Sequence, residues 1–464
     1  MDLHFRPIAE LAPDIRARRL SPVELTRHML ARIERLDPAL HSFTTVTADR
    51  ALAEAQRAEE EVGRGFWRGP LHGIPIAVKD LCYTAGIPTT AGMTILSEFR
   101  PDHDATVVTR LGAAGAVLLG KLHMTEGATL EHHPALPQPV NPWQARLWTG
   151  VSSSGSGVAT AAGLCFGSLG SDTGGSIRFP SAANALTGVK PTWGRVSRHG
   201  ICDLAPSYDT IGPMARSAAD AAILLRTIAG FDAEDATTLT APVPDYVHDL
   251  GDQPGARGLR VGIDPAFIRL GTSAEAVACI EAAAAAFAAL GAAVQEIVWP
   301  DPRPLFAHLI DLQLAELAVV HEPWFPAQAD RYGPWIRDGI ERGRAASPLA
   351  LARGTIERDK FRGRLARLFE HVDVVLSPVF VTGTPTWEEV RAMIADDFET
   401  FMRFTAPLNA AGSPTVTLPC GFTSDGRPVG FQLIGPHLSE ARLLRAAHAY
   451  QQATDWHTRR PPVG

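Results

Sequence analysis

The stretch from Thr149 to Pro180 reads TGVSSSGSGVATAAGLCFGSLGSDTGGSIRFP. Its glycines and serines are interrupted by the apolar run Ala-Thr-Ala-Ala-Gly-Leu-Cys-Phe, which a flexible linker would not carry. The order is small-residue turns, a short apolar helix, an apolar strand, and then Asp-Thr-Gly-Gly-Ser-Ile-Arg. Glycines crowded around serines let backbone N–H groups approach a reacting atom more closely than side chains on Cβ would permit. This block is the expected centre of chemistry.

The lysines sharpen that expectation. Only four of the 43 basic residues are lysines: Lys79, Lys121, Lys190 and Lys360. Lys79 ends the run GIPIAVKD, in which Ile74 to Val78 reads as a buried strand. An arginine there would stay protonated, whereas a desolvated lysine can lose its proton and act as a base. An ion pair with Asp80 is the plain alternative for a lone lysine, but beside the Gly/Ser block the catalytic reading is favoured.

The 464 residues, 45% apolar and 20% charged, are those of an ordinary globular protein. A net charge of −7 gives no basic footprint for nucleic acid or anionic membrane. No apolar run reaches membrane-spanning length without charge, since Ala274 to Leu290 carries Glu275 and Glu281. The first twenty residues lack an apolar signal core, and the five scattered cysteines include no CxxC pair. The expectation is a cytoplasmic chain with reduced thiols.

Ser21-Pro-Val-Glu24 opens a capped helix running toward Leu36, followed by a strand over His41 to Val46 and a helix over Ala48 to Val62. Beyond the Lys79 strand, the pattern predicts a helix over Ala105 to Leu111 and a strand over Ala116 to Leu119. A capped helix from Ser217 to Ile228 follows, then strand, helix and strand between Leu259 and Val298. Strands resume at Val372 to Leu376, Thr415 to Leu418 and Val429 to Leu433, with a last helix from Ser439. This alternation predicts an α/β fold, with one sheet covered by helices on both faces. Residues 302–370 lack strand pattern and read as a mostly helical insertion or cap within a single domain spanning 1–464.

Several chemistries are disfavoured. The block lacks the Gly-Lys-Ser/Thr of a phosphate-binding loop, and no Gly-x-Ser-x-Gly nucleophile elbow occurs. His123, Glu126 and Glu131-His132-His133 do not match metalloprotease spacings, so no metal and no cofactor is expected. What remains is serine chemistry without histidine. A serine hydroxyl needs a base, a neutral lysine can be that base, and a second serine can relay the proton between them. Thr173-Gly174-Gly175-Ser176 offers successive backbone N–H groups for a developing oxyanion. Serine-rich turns capping helices are the alternative for any single serine.

These motifs, together with GVKPTWGRVSRHG, FTAPLNAAGSPTVTLPCGF and GRPVGFQLIGP, resemble the amidase signature family, serine hydrolases with a Ser–cis-Ser–Lys triad. The resemblance is dense from Gly73 to Ala221 and extends over nearly the whole chain. It implies a large mixed, twisted sheet, Lys79 as base, Ser152 as bridging serine after a cis Val151–Ser152 bond, and Ser176 as nucleophile. The two serines stand 24 residues apart, in the family's register. Val151 departs from the glycine more usual there. The resemblance also implies an oxyanion hole of Thr173, Gly174, Gly175 and Ser176, supported by Ser153, Asp172 and Arg178.

The implied activity is hydrolysis of C–N bonds in neutral carboxamides, anilides or related acyl-amines through an acyl-enzyme on Ser176. Carbamate hydrolysis and the glutaminase subunit of a tRNA-dependent amidotransferase are the alternatives, and a non-catalytic member would be expected to lack a triad residue. The loop Leu122 to Trp143, with Met124, His132 and His133, reads as a pocket wall or as a structural loop. The aromatic segment Trp324 to Trp335 reads as an apolar lid or as ordinary packing. The expected partner is a small-molecule amide or carbamate, with no nucleic acid, no membrane, and a homodimer left open.

Overall fold

In the computed structural model, which describes residues 2–251 and 255–463, eleven strands form one mixed sheet. They are β1 (Phe43–Val46), β2 (Pro75–Lys79), β3 (Val117–Leu122), β4 (Gly167–Asp172), β5 (Thr187–Lys190) and β6 (Thr210–Ala215), then β7 (Arg260–Ile263), β8 (Ala293–Glu296), β9 (Val374–Pro378), β10 (Thr415–Phe422) and β11 (Pro428–Ile434). Their spatial order is β1-β3-β2-β4-β6-β5-β10-β11-β9-β7-β8. β2 runs parallel to β3 and β4, and β7 parallel to β8 and β9; the other pairs are antiparallel. Strands from both sides of the 302–370 segment therefore share one sheet.

β2, β3 and β4 are buried along their whole length, which explains the apolar runs of β2 and β3 without alternation, while β4, GSLGSD, is built of small residues. In the parallel β2–β4 pair Val78 stands opposite Leu169, so Lys79 leaves the end of β2 beside Ser171 and Asp172 at the end of β4. Crevices at the carboxyl ends of parallel strands are the usual place for ligands in open α/β sheets.

The capped helices form as the sequence implies. Ser21 accepts from the Glu24 N–H at the start of helix Pro22–Leu40, and Ser217 accepts from the Asp220 N–H at the start of Ala218–Ile228. Three departures have local causes. A helix at Ile8–Arg16 precedes the one expected first; it tolerates Pro13 inside because its apolar face, Ile8, Leu11, Ala12 and Ile15, is buried. β5 and β6 carry glycine and, in β6, Pro213, so they lack a strand pattern; their neighbours in the sheet impose the conformation. The strand expected to reach Val298 stops at Glu296, and Val298 is 86% exposed.

The segment from 302 to 370 is helical, with helices Arg303–Val320, Pro334–Arg344 and Pro348–His371. Beside it lies an aromatic cluster in which Phe179 stacks on Phe380 at 4.6 Å, with Trp148 and Phe401 at 5.7 and 5.2 Å from Phe179. This cluster is the floor under the Gly/Ser loops. Among the described residues no helix is long and apolar enough to cross a membrane.

Candidate active site

Lys79 is fully buried, and its Nζ donates to three hydroxyls: Ser152 Oγ at 2.6 Å, Ser171 Oγ at 2.8 Å and Ser153 Oγ at 2.9 Å. Burial pushes its pKa down from 10.5 to about 7, against the opposing pull of Cys82, Asp209 and Asp172. A large fraction of Lys79 is thus neutral near neutral pH, as a base must be. An ammonium has three N–H donors for the three hydroxyls, whereas the neutral amine has two and a lone pair. The shortest contact, to Ser152, is the one across which a proton can pass.

The Val151–Ser152 peptide is cis, so the β-branched Val151 occupies the position without changing the expected bond isomer. Gly150, with φ of 77°, cannot be replaced cheaply, because a Cβ there would meet Pro180 Cα at 2.3 Å. Helix Ser154–Ala161 starts directly after Ser153, whose hydroxyl also donates to the Ser171 carbonyl and accepts from the Ser171 N–H, both at 3.2 Å. Ser153 thereby ties the serine loop to the end of β4.

The second loop is held from below by an ion pair. Arg178 Nε and Nη2 fork onto Asp172 at 3.0 and 2.8 Å, and both side chains are fully buried. Burial opposes the Asp172 carboxylate, but the charge and hydrogen bonds of Arg178, with Lys190 and Asn409, keep it well below the usual range. Asp172 Oδ2 also accepts the N–H groups of Ile177 and Arg178 at 3.0 and 3.3 Å, which turns the chain back at Ser176. Arg178 Nη1 donates to the Thr405 carbonyl, and Asn409 Nδ2 donates to Asp172 Oδ1 at 2.8 Å.

Thr173 is clamped on two sides. Its hydroxyl donates to Asp209 Oδ1, and its carbonyl accepts from Gln313 Nε2 at 3.0 Å. Burial, and then Asp203, push the Asp209 pKa up. Gly175 has φ of 148°, and a Cβ there would meet the Phe179 ring at 2.6 Å. Among the described residues the N–H groups of Gly174, Gly175 and Ser176 have no protein acceptor. Fixed donors of this kind stabilise an anion where a carbonyl oxygen gains charge.

Ser176 is 6% exposed and opens onto a cavity of about 390 Å³, shared with Thr173 and Gly174. The wall is largely apolar: Phe179, Leu204, Ile310, Leu314, Leu317 and Met402. Trp335 also lines it, while Phe325 and Tyr332 pack into the core; the aromatic segment is thus part wall and part ordinary packing. Asp338 and Arg342, 3.9 Å apart, add opposite charges from helix Pro334–Arg344.

The expected pocket residues Met124, His132 and His133 do not line this cavity. Met124 is buried in the main core. His132 is buried with Nε2 3.0 Å from Ser154 Oγ and packs edge-on to Trp387, and burial drives its pKa down to about 3. His133 accepts the Ala135 N–H within its own loop. The neighbouring Ala128, Thr129 and Leu130 take the lining positions instead. Ser171, Asp209, Gln313 and Asn409 were not singled out from sequence. Ser171 lies inside GSDTGGS, within the block the sequence marks, but its place beside Lys79 comes from the parallel register of β2 and β4.

The Amidase family profile matches residues 24–444. The chain is 48% identical to the putative amidase AmiD of Mycobacterium tuberculosis, over 98% of this chain and 96% of that protein. It is 42% identical to a glutamyl-tRNA(Gln) amidotransferase subunit of Methylococcus capsulatus, over 99% of both. The crystal structure of native peptide amidase from Stenotrophomonas maltophilia superposes with a TM-score of 0.84 at 34% identity, covering 98% of each chain. A buried lysine on serine hydroxyls, a serine opening onto an apolar cavity and these likenesses agree: the chain belongs to the amidase signature family, hydrolases of carbon–nitrogen bonds.

Proposed function

We propose that the chain is a self-sufficient serine amidase for neutral carboxamides and anilides with a fairly apolar acyl group. The observation that carries this is the apolar cavity onto which Ser176 opens. Neutral Lys79 takes a proton from Ser152, and Ser152 takes one from Ser176 as its Oγ attacks the carbonyl carbon. The N–H groups of the loop from Thr173 to Ser176 receive the oxyanion. The relay returns a proton to the departing amine, and water then hydrolyses the ester on Ser176. Ser153, Asp172 and Arg178 position these loops, and the helical segment 302–370 caps the cavity within one domain.

A second reading has one observation in its favour. Asp338 and Arg342 place opposite charges on the cavity wall, which suits the ammonium and carboxylate of free glutamine, as in a glutaminase subunit. Carbamate hydrolysis would use the same groups on the same carbonyl. The test is amine or ammonia release by the purified chain from aliphatic amides, anilides, an aryl carbamate and glutamine. Turnover of amides and anilides, abolished by Lys79→Ala and by Ser176→Ala, is expected. Preference for glutamine, or turnover only with added partner subunits, would overturn the proposal.

A further inference from the structure

An amide bound at Ser176 presents two polar groups. Its carbonyl oxygen meets the N–H donors of the loop, and its own N–H, once desolvated, needs an acceptor. The hydroxyls that line the cavity near the loop are turned by their own bonds, Thr173 Oγ1 donating to Asp209 and Thr129 Oγ1 to the Glu126 carbonyl. Asp338 stands out on the rim, with its side chain 70% exposed. Gln313 remains. It projects from helix Arg303–Val320, is 8% exposed, and lines the cavity.

The orientation of the Gln313 amide is fixed by chemistry. The Thr173 carbonyl can only accept, so the NH2 group must face it, at 3.0 Å, and Oε1 is the atom left over. Among the described residues Oε1 takes no donor, and it is not one of the side-chain atoms sealed away from solvent without a partner. A neutral acceptor is thereby held rigidly against the oxyanion loop by a bond to the loop itself.

We infer that Gln313 is a specificity-determining residue whose Oε1 accepts the N–H of the scissile amide. An ester of the same acid places an oxygen there, whose lone pairs face Oε1 and repel it. Gln313 thus favours amides over esters in a site whose serine chemistry would otherwise accept both. The inference rests on the amidase reading above.

The test compares kcat/KM for a hexanoyl p-nitroanilide and for p-nitrophenyl hexanoate in the full chain and in Gln313→Leu, with Gln313→Met as a second apolar variant. The intrinsic reactivities of the two probes cancel in the ratio of ratios. One lost hydrogen bond lowers the anilide-to-ester ratio about tenfold. Gln313→Glu keeps an acceptor but cannot donate to the Thr173 carbonyl, so both rates fall while the anilide preference persists. A purely structural role would lower both rates in every variant and leave the ratio unchanged, which would overturn the inference. Ester turnover by the wild type with no anilide turnover would overturn the amide reading of the site, and this inference with it.

Discussion

The three hydroxyls around Lys79 allow a directional prediction about its proton. Ser171→Ala removes one acceptor from both forms of Lys79, since the neutral amine takes the Ser152 O–H on its lone pair and places its two N–H groups on Ser153 and Ser171, but the bond lost from the ammonium is the stronger one. A hydrogen bond from a charged group contributes about 1.5–3 kcal/mol against about 0.5–1.5 for a neutral one, a difference of about 1–1.5 kcal/mol. At 1.36 kcal/mol per pKa unit this lowers the Lys79 pKa by about one unit. From a starting value of about 7, the midpoint moves to about 6. Because the base must be neutral, kcat/KM rises with pH through this midpoint and levels off above it.

The assay is the pH profile of kcat/KM on an anilide, each variant normalised to its own plateau. At pH 6 the wild type should show about a tenth of its plateau, and Ser171→Ala about half. The side-chain change leaves the Ser171 backbone N–H on Ser153 intact. Lys190 and Glu126 also titrate at about 7, but the Ser171 hydroxyl bonds to Lys79, so only an inflection belonging to Lys79 should follow this substitution. A midpoint that stays put or moves upward would refute Lys79 as the titrating base.

Two further outcomes follow from the buried charges. Arg178→Ala removes the guanidinium that pairs with the buried Asp172, at a cost of about 3–5 kcal/mol; denaturant titration of the folded variant should show that loss, and a change below about 1 kcal/mol would contradict the role given to the pair. Glu126 is 2% exposed and accepts the Gly333 N–H at 3.0 and 3.1 Å, and burial raises its pKa from 4.5 to about 7. The folded state therefore holds that proton more tightly than the unfolded chain. Its stabilising contribution is complete below pH 4.5 and declines as pH rises through about 7. Glu126→Gln removes that decline, so the Tm advantage of the variant over wild type should grow between pH 4.5 and 8; a difference independent of pH would contradict the assignment.

The local chemistry of the chain was legible from the sequence where neighbours in sequence settle it. The cap residues Ser21 and Ser217, the buried runs of β2 and β3, and the glycine-bearing turns around Ser152 and Ser176 are read from adjacent residues. Turn geometry and helix starts depend on interactions spanning three or four positions, and the sequence displays those directly. The lysine at the end of β2 was conspicuous for the same reason, as a basic group closing an apolar run.

What the tertiary structure decided involves partners far apart in the chain. Ser171 meets Lys79 because β2 and β4 pair in parallel with one particular register, which no local pattern states. Gln313 reaches Thr173 across 140 residues, and Asn409 reaches Asp172 across 237. The loop after Met124 shows the converse: His132 and His133 looked suited to a pocket, yet packing turned them inward or onto their own loop and gave the cavity wall to Ala128, Thr129 and Leu130. The residues that make bonds at Ser176 are set by the sequence of the loops. The shape, polarity and hydrogen-bond partners of the space in front of it are set by which helices close over the sheet.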